Sequence, residues 1–233
     1  MIKTIFFDLD GTLLPMDQDV FVKMYLGALA KKLIPLGYDK DTFLKGMWAG
    51  VGSMVQNDGS CKNQDRFWKT FCGILGEHVM NDAPVFDEFY RVEFSQAKEA
   101  CGFNPKAVEA VHKLKEAGYN VALATNPLFP PIATENRIRW AGLEPENFMF
   151  YTTYDDSSYC KPNPKYYEEV LAKAGAKADE CLMVGNDVNE DMIAETLGMN
   201  VFLLTDCLIN IDEKDIEQYP HGDFDALMKF LGV

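Results

Sequence analysis

Residues 1–14, MIKTIFFDLDGTLL, decide the fold. Residues 3–7 form a nearly continuous, β-rich apolar run, which fits a strand buried on both faces. The run leads without a break into Asp8-Leu9-Asp10-Gly11-Thr12. In open parallel sheets, ligands bind beyond the carboxyl ends of the strands, so two carboxylates stand where chemistry is expected. A spacing of two in extended backbone leans both side chains toward the same side. Gly11 then permits a tight turn away from the strand. An ordinary acidic turn has the same composition, so the rest of the chain must discriminate.

Further apolar runs lie at 119–124, 148–152, 181–185 and 201–204. Helical patterns separate them. Asn104-Pro105 opens one helix, which Gly118 closes; Asn163-Pro164 opens another, ending near Gly175; a third spans 189–197 before Gly198. Alternating helices and strands predict an α/β fold with a parallel sheet and right-handed crossovers. Residues 15–102 differ: they hold helical patterns near 20–33, 42–55, 64–75 and 84–100 and no convincing strand. This stretch reads as an all-α insert with its own small core. Met24, Met47, Met54, Phe67, Trp68 and Phe71 read as packing for that core.

The other strand ends add polar groups. Residues 119–124 run into Thr125-Asn126, and Lys161 stands just before a helix start. The strand at 181–185 runs into Gly185-Asn186-Asp187-Val188-Asn189-Glu190-Asp191. Each feature alone has a bland reading: a turn, a helix cap with an acidic first turn, a solvated lysine. Together they are more informative. If Asp8, Asp10, Asp187 and Asp191 share one crevice, they repel: two charges about 4 Å apart cost about 4 kcal/mol at an effective dielectric near 20. Such a site needs protons, a cation, or both. Lys161 supplies one positive charge, and Mg²⁺, a hard cation with oxygen ligands, is the natural other. Mg²⁺ with a lysine makes a receptor for a phosphoryl dianion.

These residues resemble the haloacid dehalogenase superfamily, whose members are mostly phosphatases. Asp8-x-Asp10-Gly11-Thr12, Thr125, Lys161 and Gly185…Asp187-x-x-x-Asp191 follow its four motifs in order. Asn186 intervenes where many members have Gly-Asp directly. The resemblance implies a Rossmann-like α/β core over residues 1–14 and 103–233, with a helical cap over 15–102. Hinges are expected near 14–17 and 100–105. It implies Asp8 as nucleophile forming an aspartyl phosphate, and Asp10 as general acid and then base. Thr125 would bond a phosphoryl oxygen, and Lys161 would neutralise the nucleophile and the transferring group. Backbone amides of Leu9 and Asn126 would complete the phosphate cradle. Mg²⁺ would take Asp8, the Asp10 carbonyl and Asp187, with Asp191 as a ligand or just behind. The implied activity is a Mg²⁺-dependent phosphatase for a small phosphomonoester, similar to phosphoglycolate phosphatases. A β-phosphoglucomutase-like phosphotransferase and a non-catalytic phosphometabolite-binding protein are the alternatives on the same core.

Composition sets the outer limits. Lys and Arg number 22 against 36 Asp and Glu, a formal charge of −14, which disfavours nucleic acid polymers and anionic membranes as partners. The six cysteines contain no CxxC pair and the three histidines are scattered, so zinc-ligand spacing is absent. Asp8 and Asp10 interrupt the apolar start where a signal peptide would need continuity. Free thiols, a cytoplasmic location and a monomer or homodimer are the expectations. No Gly-x-Ser-x-Gly elbow or Walker loop is present.

Overall fold

The computed structural model describes residues 1–233. Five strands, β1 (Thr4–Phe7), β2 (Asn120–Leu123), β3 (Cys181–Gly185), β4 (Asn200–Leu204) and β5 (His221–Gly222), form one parallel sheet in the order β2-β1-β3-β4-β5. Alternate residues of β1 serve opposite faces, as the pleat requires. Ile5 and Phe7 join a cluster with Leu123, Val184, Leu204 and helices α5 (Pro105–Glu116) and α8 (Phe224–Leu231). Phe6 joins the other cluster, with Met183, Leu203, Met192 and the paired Tyr166 and Tyr167 of α7 (Pro164–Ala174). Both faces are covered, which is why the strands read as unbroken apolar runs.

Five helices stand between β1 and β2; ahead of α5 come α1 (Gln18–Leu33), α2 (Lys40–Val55), α3 (Asn63–Leu75) and α4 (Ala83–Arg91), which make up the insert. Asp17 and Asp39 cap the first two through their side chains. Their core is aromatic. Phe43 meets Phe71 edge-on at 5.9 Å, and Phe67 stacks on Phe71 at 5.3 Å. Gly46 and Gly50 of α2 face Phe71 and Phe67, so the two helices approach closely. Phe94 links this cluster to the sheet side by stacking on Trp140 of α6 (Pro131–Trp140) at 5.2 Å. The chain leaves and re-enters the sheet layer through two adjacent segments. Met16 and Cys101 form an antiparallel bridge, and the Gly102 N–H donates to the Pro15 carbonyl at 2.7 Å.

Several local expectations need correction. Residues 148–152 are not a strand. They run along the β2 edge with ladder hydrogen bonds from Met149, Leu123 and Thr152, but only one isolated bridge forms, Leu123 with Tyr151. A turn at Pro145–Asn147 precedes them, and Thr152 then turns its hydroxyl onto the Thr125 carbonyl. The fifth strand is instead the short β5, too brief to give a sequence pattern. The helix expected at 189–197 is a turn followed by a 3₁₀ segment, Met192–Leu197. The pattern at 84–100 splits into α4 and a 3₁₀ segment, Glu93–Ala100. No helix is long and apolar enough to cross a membrane, and no two of the six cysteines are joined.

Candidate active site

The strand order reverses at β1 and β3, and a cavity opens there beyond their carboxyl ends. Asp8, Asp10, Thr125, Asn126, Asp187 and Asp191 all line it, so residues far apart in sequence meet at one cavity. Its volume is about 150 Å³. Gly11, at φ +88°, turns the chain away after Asp10; a Cβ there would sit 2.4 Å from the Asn186 amide nitrogen. Asn186 instead accepts from the Thr12 hydroxyl at 2.9 Å and donates to the Cys207 carbonyl at 2.7 Å. The residue that departs from the common motif therefore ties the β1 turn to the loop after β4. Gly185 allows a second close approach, because a Cβ there would overlap the Asp191 carboxylate.

Lys161 lies beneath the cavity, fully buried, at the start of the segment leading to α7. Its ammonium donates to Asp8 Oδ1 at 2.8 Å and to Asp191 Oδ1 at 2.6 Å. The other Asp191 oxygen accepts the Asp187 N–H at 3.0 Å. Both Asp191 oxygens are thus engaged within the protein. Asp187 Oδ1 accepts the N–H groups of Asn189 and Glu190, at 2.7 and 2.9 Å. Thr125 is held by its carbonyl, which accepts from the Thr152 and Tyr166 hydroxyls at 2.6 and 2.8 Å. Leu9 is buried and does not line the cavity.

Two participants were missed in the sequence. Arg137 of α6 is fully buried, forms an ion pair with Asp10 Oδ2, and lies 4.3 Å above the Phe129 ring. Glu190 lines the same cavity and accepts both of its bonds from the Asn126 amide, at 3.0 and 3.1 Å. The apolar residues of α6 do not gather on one face, so no pattern flagged the helix or its arginine. Glu190 stood in view inside 185–191, but an exposed acidic first turn has the same composition.

The electrostatics follow from crowding. Five carboxylates, Asp8, Asp10, Asp187, Glu190 and Asp191, face two cations, Lys161 and Arg137. Burial pushes the Asp8 carboxyl up to about 7 against the pull of Lys161, and the Asp191 and Asp10 charges add to the rise. Burial also raises Asp10, although Arg137 and Lys161 oppose it. Glu190 is pushed up to about 7, again chiefly by burial, and Asp187 is raised for the same reason. Burial alone would pull Lys161 down, but the Asp191 and Asp8 carboxylates hold it well above the usual lysine value.

The cavity leaves oxygen atoms free for a ligand. Two buried oxygens at the cavity, Asp10 Oδ1 and Asn126 Oδ1, have no hydrogen-bond partner. No three Asp, Glu, His or Cys side chains close into a cage. Mg²⁺ ordinarily takes one or two carboxylates and completes its shell with water and phosphate oxygens, so this donor set fits it.

Comparison with known proteins agrees with the geometry. A family model described as a haloacid dehalogenase-like hydrolase matches residues 2–194. Glyceraldehyde 3-phosphate phosphatase of Methanothermobacter thermautotrophicus is 26% identical over 221 residues, covering 94% of this chain and 92% of that protein. Phosphoglycolate phosphatase of Vibrio parahaemolyticus is 28% identical over 211 residues, covering 88% and 84%. The crystal structure of a HAD phosphatase from Thermococcus onnurineus superposes with a TM-score of 0.61 at 21% identity, covering 99% and 98% of the two chains.

Proposed function

The chain belongs to the haloacid dehalogenase-like hydrolase family, and we propose that it is a Mg²⁺-dependent phosphatase that hydrolyses a small phosphomonoester through an aspartyl phosphate on Asp8. One observation carries the reading: Asp8 lies in the wall of the acidic cavity with one carboxylate oxygen fixed by a fully buried lysine. Lys161 holds Oδ1, which leaves Oδ2 to attack phosphorus. As that bond forms, the ester P–O bond breaks and Asp10 gives its proton to the leaving oxygen. Asp10, now a carboxylate, takes a proton from water. The water oxygen attacks phosphorus, the Asp8 O–P bond breaks, and phosphate leaves. Arg137 orients Asp10 for both transfers, acting as a positioning residue. The Thr125 hydroxyl and the backbone amide of Asn126, both at the cavity, serve the phosphoryl oxygens.

Mg²⁺, held by Asp8, the Asp10 carbonyl and Asp187, would neutralise charge on the phosphoryl group when bound. Asp191 acts from behind, since both of its oxygens already serve Lys161 and the Asp187 amide. Residues 15–102 act as the lid over a core of 1–14 and 103–233, and the paired segments at Met16 and Cys101 act as its hinge. Free cysteines and an acidic chain support a cytoplasmic enzyme acting on a small phosphorylated metabolite.

The test is phosphate release from an aryl phosphate with Mg²⁺ and with chelator. Release that requires Mg²⁺ and vanishes in Asp8→Asn is expected. Full activity in Asp8→Asn would refute the nucleophile. Sugar-phosphate isomerisation without phosphate release would point to a phosphotransferase.

A further inference from the structure

A second cavity, about 170 Å³, adjoins the acidic one; Val22, Leu128 and Phe129 line both. Its remaining wall comes largely from the helical insert and is apolar or aromatic, including Met47, Val51, Phe67, Trp68 and Phe86. Thirteen of its fourteen lining residues are hydrophobic, and the exception is Asp87. No lysine, arginine or histidine lines it. Lys23 and Lys40 line a neighbouring groove that shares Val22, Leu26 and Trp48 with this cavity, but neither lysine lines the cavity itself, and Arg137 is occupied by Asp10 and Phe129. Two of its phenols, Tyr25 and Tyr90, bond each other at 2.8 Å, so one of the two hydroxyl protons is spent within the wall.

A group entering this space from the acidic cavity leaves water and meets ring faces, aliphatic side chains, tyrosine hydroxyls and one carboxylate. An anion would be desolvated without a counter-charge and would face Asp87. An uncharged apolar group would lose nothing and gain contact area. A wholly apolar cavity of about 150 Å³ is enough to hold benzene, so this one takes roughly one ring.

We propose that the substrate is the phosphomonoester of an uncharged, apolar alcohol carrying about one ring, and that its leaving group occupies the cavity between α1, α2, α3 and α4. The proposal rests on the phosphatase reading and narrows it. It sets this chain apart from relatives named for phosphoglycolate and glyceraldehyde 3-phosphate.

The test compares alkyl esters with similarly poor leaving groups: benzyl phosphate, methyl phosphate and phosphoglycolate, with Mg²⁺ present. Benzyl phosphate is expected to exceed both others in kcat/KM by about tenfold or more, chiefly through KM. Asp87→Asn should raise kcat/KM for phosphoglycolate, and Val51→Lys should erase most of the benzyl advantage. Binding supplies a readout that needs no turnover. Trp48 and Trp68 line the cavity, so their fluorescence should report benzylphosphonate at a lower Kd than phosphonoacetate. Equal or better use of phosphoglycolate, or tighter binding of phosphonoacetate, overturns the proposal while leaving a phosphatase. If no ester is hydrolysed yet benzylphosphonate binds more tightly, the cavity's preference stands and the phosphatase reading fails.

Discussion

The two adjoining cavities solve opposite problems. One gathers five carboxylates around two buried cations; the other is ringed by aromatic and aliphatic side chains with a single acid. A charged reacting group needs counter-charge and fixed donors at set distances, because a misplaced buried charge is costly. An apolar group needs only shape and the exclusion of water. The acidic side is accordingly tied by bonds between distant segments, such as Lys161 to Asp8 across 153 positions. The apolar side is held by ring packing within and beside one helical insert. Precision belongs to the first, and adaptability to the second.

The contrast can be broken at several points. Asp8→Asn should lower kcat on the order of 10⁴-fold, with the fold retained, as phosphate release and a melting curve would show. Lys161→Met strands Asp8 and Asp191 together and should cost about 3–5 kcal/mol by denaturant titration. Near-wild-type stability there would mean that the buried ion pairs hold nothing. Phe43→Ala, in the packed interior of the insert, should cost a similar amount, about 3–5 kcal/mol, through a cavity alone. Its kcat on an aryl phosphate should change far less than in Lys161→Met, which sharpens the division between the regions. Mg²⁺ at about a hundred times its Kd should stabilise the protein by about 2.7 kcal/mol, and EDTA should reverse this. Arg137→Gln removes the charged partner of Asp10 and should cost about 1.5–3 kcal/mol, with kcat affected more than KM.

Much of the frame was legible because its signals are local. Buried parallel strands are continuous apolar runs, and Asn-Pro starts and Gly stops mark α5 and α7. The segment 148–152 has the same composition as a strand but lies on the sheet edge with only β2 beside it, so its pairing ends after one bridge. Met47, Phe67 and Trp68 read correctly as packing residues, yet they also wall a cavity, and helical spacing does not distinguish the two. Lys161 was legible as a lysine before a helix and by its place in the motif order; its burial between two carboxylates depends on how α7 docks against the sheet.

Strands β1 to β4, the helices α5 and α7 and the acids at the strand ends were determined by the sequence alone, because periodicity, caps and turns act over a few residues. The partnership of Arg137 with Asp10, of Glu190 with Asn126, and the meeting of an acidic with an aromatic cavity were decided only in the tertiary structure. Those outcomes depend on the rotation and docking of whole helices against the sheet. Packing of many side chains at once sets that geometry, and no short window of sequence contains it.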